Sequence, residues 1–176
     1  MKFLSNIRLL LIGIWLGAAV FFSFAVAPSA FAVLPSRELA GAMVSRSLTI
    51  VHIAGLVVGL LALAGSFVGT AGANRFLLWT ERFLLLLLTA ACAVGQFVIA
   101  LWLTFIKAQM GRPIDEVAAD DPLRIRFDNL HEYSVWVLVA AMVAALIVFF
   151  MISGRNPAPV KEKASTDFDF NKEFKI

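Results

Sequence analysis

A chain of 176 residues that is 61% hydrophobic and 15% charged, with a mean hydropathy of +0.89, carries more apolar surface than a soluble domain of this length can bury. Its net charge of +3 and pI near 9.4 come from basic residues set between and after apolar runs, a placement that fixes membrane topology rather than a nucleic-acid face, so nucleic acid is excluded as a partner. The single Cys92 makes no internal disulfide, and the motifs of phosphate-loop, Gly-x-Ser-x-Gly and His-Glu-x-x-His enzymes are missing.

The first apolar run covers about 9–27, followed by "FFSFAVAPSAFAVLP" at 21–35. Ala30-Phe31-Ala32 has the form of a leader-peptidase site, but a run of about 19 residues exceeds the usual apolar core of a leader. A retained first helix is expected, with Pro28 at its outer end and Gly13-x-x-x-Gly17 as a packing face. The second run, about 48–70, begins near Ser47 and fades at Thr70-Ala-Gly72. It carries Gly55-x-x-x-Gly59 and Gly65-x-x-x-Gly69. The third is apolar over 83–106 and is expected to be helical over 76–108, with Glu81 and Arg82 at an interface. Thr89, Cys92 and Gln96 follow a helical spacing, with Thr104 eight residues on. This predicts a polar face turned into the bundle, either as interhelical glue or as the lining of a path.

The fourth run is apolar over 133–152 and is preceded by Asp121-Pro122, an N-cap followed by proline at the first helical position. Its helix is therefore expected over 123–153, beginning outside the lipid. Each run is long enough to cross a hydrocarbon core of roughly 30 Å, and in lipid a spanning segment must satisfy its own backbone hydrogen bonds. The expected fold is an all-α, antiparallel four-transmembrane-helix bundle over 1–153. A disordered cytoplasmic tail follows at 154–176. With both termini inside, Lys2, Arg8, Arg75, Arg82, Arg155, Lys161 and Lys163 lie on the cytoplasmic side of a cell membrane; Arg37, Arg46, Lys107, Arg112, Arg124 and Arg126 lie outside. The lipid bilayer is the expected partner, and a homo-oligomer is left open.

The candidate chemistry is sparse. His52 and His131 are the two histidines, expected at similar depth near the outer boundary, and with Met43 and Met110 they would suit copper or haem. The plainer reading makes them structural, and neither cofactor is favoured. Arg124 and Asp128 form an i, i+4 pair. No triad or paired carboxylates argue for catalysis, and the helix centres carry no charge for an ion relay.

Three stretches carry a family likeness. "GIWLGAAVFFSFAVAPSAFAVLPSRELAGAMVS" contains Gly17, Val26, Pro28, Phe31, Ala40 and Gly41; "GQFVIALWLTFIKAQ" contains Gln96; "RFDNLHEYSVWV" contains Phe127, Leu130, His131, Ser134 and Val135. Together, over about 7–150, they resemble the transmembrane-protein-205-like family, whose bacterial branch is called domain of unknown function 4149. The chain departs from that pattern in having Lys107 where an arginine often ends the third helix, and His52 where bacterial relatives tend to have tyrosine. The resemblance implies a four-helix membrane protein without an established reaction. Through a human member linked to platinum-drug resistance it also implies metal handling or secretion. A more distant likeness to the copper-resistance protein D group and to haem-dependent protoporphyrinogen oxidases extends the metal and haem analogy. The leading expectation is a non-enzymatic structural or binding role at the outer membrane face, through the outer loops and the Leu130–Ser134 segment. Transport of a small solute or metal past Thr89, Gln96 and Thr104 is the remaining one.

Overall fold

The structure, a computed structural model, describes residues 2–68 and 74–154. Four helices in it are long and apolar enough to cross a membrane. The first, α1, runs over Lys2–Phe21, passes through a π-turn at Phe22–Val26 and continues as Ala27–Val33. The second, α2, covers Arg37–Gly65. The third, α3, joins Arg75–Val94 to Ala100–Met110 through a π-turn at Gly95–Ile99. The fourth, α4, covers Pro122–Ser153. Residues 155–176 of the tail expected at 154–176, and Gly69 of the second Gly-x-x-x-Gly, lie outside the described residues.

Local chemistry sets the helix ends. Ser36 accepts a hydrogen bond from Leu39 N–H and starts α2; Asn74 does the same for Phe76 N–H at α3; Asp121 caps Leu123 N–H with Pro122 behind it at α4. Gly111 ends α3 at φ 64°, a left-handed conformation that a side chain would strain. Two expected boundaries change. The α2 helix starts eleven residues before the apolar run, because a good N-cap lets a polar first turn form ahead of the membrane segment. Pro28 does not end α1: the helix passes through it to Val33. The preceding π-turn pairs Ala27 N–H with Phe22 O and widens the helix just ahead of the proline ring, which relieves its clash with the preceding turn.

The helices run up and down in sequence order, with α4 packing back on α1 to close the ring. Lipid gives no hydrophobic force between helices, so contact depends on close fit and buried polar groups. A stripe of small residues on α2 supplies the fit. Side chains of α3 and α1 fill the space that side chains on α2 would otherwise occupy: Thr89 lies against Gly59, Cys92 and Trp15 against Gly55, and Arg8 against Gly65. Gly13 packs against Phe149 of α4, whereas Gly17 is exposed with nothing near it, so the Gly13-x-x-x-Gly17 spacing is not a continuous packing face. Ala141, Ala144, Ala145 and Val148 of α4 complete a core with Ile12, Leu85 and Leu88. Large apolar side chains such as Phe24, Phe76 and Trp136 remain exposed around the bundle, as a lipid-facing surface requires.

Candidate functional site

The polar groups inside the bundle form two levels. At the end shared by the start of α1 and the end of α4, Arg8 donates to Glu81 across the diagonal of the bundle. Arg8 is 5% exposed and Glu81 is fully buried. The Arg8 stem passes over Gly65, whose missing Cβ leaves it room. Beside it, Arg82 donates to Ser66 O at the end of α2 and lies 4.1 Å over the Phe67 ring. The carbonyl end of α2 thus gains a cationic cap. In the sequence, Arg8 reads as a topology charge and Glu81 as an interfacial one. Their pairing is a tertiary fact, because one-dimensional hydropathy does not show which two interrupted runs face each other.

Nearer the middle, Trp15 Nε1 donates to Val51 O at 2.9 Å, and Thr89 Oγ1 donates to Leu85 O at 2.7 Å. His52 is 2% exposed with neither ring nitrogen partnered, and Gln96 Oε1 is also buried without a partner. A buried polar atom without a partner costs about 1–3 kcal/mol, so these two stand apart from their satisfied neighbours. His52 rests against Gly95, the first residue of the α3 π-turn.

The opposite end holds the segment containing His131. Ser134 is buried, and its hydroxyl donates to His131 O at 2.7 Å. The His131 ring is exposed and stacks on Phe127 at 6.3 Å, while Lys107 Nζ lies 5.3 Å over the Phe127 ring. Arg124 donates to Ile114 O and Val117 O at 2.7 and 2.9 Å, pinning the 111–121 loop onto α4. Its pairing with Asp128 is longer, 3.7 Å, and Asp128 is largely exposed. Arg124→Ala should therefore speed amide exchange of the 111–121 loop about tenfold, with the buried helix amides unchanged in the same hydrogen-exchange experiment.

The expected polar face is only partly formed. Thr89 is buried and Gln96 half-buried, but Thr104 is exposed and bonded to its own Ala100 O. Gln96 lies within the π-turn, between Cys92 and Thr104, and one inserted residue shifts the helical phase by about 100°.

The two histidines are also at different levels. His52 is level with Gly95, and the contact of Lys107 with Phe127 fixes the α3–α4 register, which sets His131 roughly 10 Å farther along the bundle axis. Met43 is exposed. Among the described residues, no group of three or more His, Cys, Asp or Glu gathers as a metal site would need. These residues do not fit a shared copper or haem site.

A cleft of about 380 Å³ opens between α3 and α4 near this end. Trp102, Phe105 and Ile106 form its apolar wall, with Gln109, Arg126 and Asn129 adding polar groups. Leu130 lines it as well, whereas Phe31, Pro28 and Val135 are exposed elsewhere, and Ala40 and Gly41 lie on the first turns of α2.

A family profile described as a domain of unknown function, DUF4149, matches residues 10–112, more than half of the chain. The chain belongs to the DUF4149 family. No curated protein and no solved structure matches it. The DUF4149 match takes in α1 from Leu10 onward, α2 and α3 with both π-turns, Trp15, His52 and Gln96. Arg8 and the Phe127–Val135 segment fall outside the DUF4149 match.

Proposed function

We propose that this DUF4149 protein has a binding rather than a catalytic role, holding an anionic phospholipid in the cleft between α3 and α4 at the outer face of the cell membrane, with both termini cytoplasmic. The cleft carries this reading: apolar Trp102, Phe105 and Ile106 suit acyl chains, and Arg126, Gln109 and Asn129 suit a phosphate headgroup. Tyr133 lines the cleft and Trp136 is exposed one turn on, and aromatic side chains of this kind favour the headgroup boundary. The Phe127–Ser134 segment flanks the cleft, and Lys107 Nζ over the Phe127 ring ties α3 to α4 beside it.

A wider kinship with the transmembrane-protein-205-like family, and the metal resistance it suggests, fits this reading only if metal enters by another route than a two-histidine site. Native mass spectrometry of protein released from nanodiscs tests the proposal. Phosphatidylglycerol should be retained over phosphatidylcholine, and Arg126→Gln should lower that preference about tenfold. Leu130→Trp, which fills the cleft, should remove retained lipid of either type. Equal retention of both lipids by all three proteins would overturn the reading.

A further inference from the structure

We propose that His52 and Gln96 line an internal water-binding site that solvent reaches from the end carrying the 111–121 loop. This goes beyond the lipid cleft, which lies on the outside of the bundle. An imidazole always carries at least one N–H, and a glutamine amide oxygen is a strong acceptor. Both groups are buried here without a protein partner, while the nearby polar groups of Trp15 and Thr89 are each bonded to a backbone carbonyl. A buried water needs two to four polar partners, and buried polar atoms without protein partners are where such waters are held.

The backbone beside them is modified in the same sense. His52 lies against Gly95, where an added Cβ would come within 2.6 Å of its Cε1 and 2.7 Å of its Nε2. Gly95 opens the π-turn, in which Ala100 N–H pairs five residues back to Gly95 O. Such a widened turn leaves a carbonyl without its usual i+4 donor, a further partner for water.

The direction of access follows from the packing. On the Arg8–Glu81 side of His52, the bundle is filled by Ile12, Ala62, Leu85, Leu88 and Val148, and the ion pair closes the end. On the other side, the Ala100–Met110 part of α3 packs on α4 and on its own π-turn, and has no comparably close approach to α2. What crosses there is side-chain contact: Lys107 reaches Gly41, and Arg37 meets Asp115 at 3.7 Å on the surface. Ala40, Ile99 and Ile106 are buried on this side. Water that passes between the α1–α2 and α3–α4 pairs reaches His52 and Gln96 before the layer of Ile12, Leu85, Leu88 and Val148.

The full-length protein, labelled with [15N]histidine and held in lipid nanodiscs, gives two imidazole spin systems, and His131→Gln assigns them. The His52 ring N–H should exchange into deuterium oxide within minutes and show cross-peaks to water. Gln96→Leu, which removes one acceptor from the site, should slow that exchange about tenfold. A His52 N–H that persists for a day in the unsubstituted protein would overturn the proposal, because a dry core protects it. Exchange that is fast but unmoved by Gln96→Leu would also overturn it, since the site would then not include Gln96.

Discussion

Glu81→Leu is expected to lower the stability of the bundle by about 3–5 kcal/mol, the largest effect of any single substitution considered for this chain. The reason is the partner left behind. Arg8 is 5% exposed, packed over Gly65, and bonded across the bundle to a fully buried carboxylate. Removing the carboxylate leaves an uncompensated guanidinium in a low-dielectric interior. The double variant Arg8→Met, Glu81→Leu should recover most of that loss and fall within about 1 kcal/mol of the original protein, because a pair replaced by apolar groups of similar volume forfeits attraction and desolvation penalty together. Unfolding of the three proteins in detergent micelles, read by circular dichroism, measures this. A single variant as stable as the parent would remove the ion pair from any account of how the terminal end is closed.

Gly55→Ala should cost about 1–3 kcal/mol, while Gly17→Ala should cost nothing measurable. A Cβ at Gly55 would stand 2.5 Å from Cys92 Sγ and 2.6 Å from Trp15 Nε1. The thiol can rotate, but the indole is tied down by its hydrogen bond to Val51 O, so α1 must move away from α2. At Gly17 there is nothing within 4 Å, and the added methyl meets lipid. The same micelle assay distinguishes them, and equal effects at the two glycines would mean that α2 does not make this close approach. Both sites sit in Gly-x-x-x-Gly spacings that look alike in sequence, which makes the comparison a direct test of the packing.

Much of the architecture was legible in the sequence because the bilayer imposes it. Four long apolar runs must be helices, their lengths must match the hydrocarbon core, and short connections make neighbours antiparallel. The Asp121-Pro122 cap was readable as well, since capping is local. Ser36 offered the same kind of signal for α2, but hydropathy alone pointed to a later start, because a polar first turn outside the lipid adds nothing to an apolar average.

What the sequence could not supply is contact between residues distant in the chain. Arg8 and Glu81 are 73 positions apart, and each looks like an interfacial charge until helix rotation brings them face to face. The π-turns at Phe22–Val26 and Gly95–Ile99 leave no mark in an apolar periodicity, yet one carries α1 through Pro28 and the other turns Thr104 away from Gln96. The edges of the apolar runs put His52 and His131 at a similar depth. The tertiary structure gives them different levels and different roles, one enclosed beside Gly95 and the other exposed on Phe127. Hydropathy is a property of each segment and its solvent, so the sequence alone determined the four helices. Which polar side chains meet depends on helix rotation and register, set by the small residues of α2 and by two π-turns, and only the tertiary structure decided that.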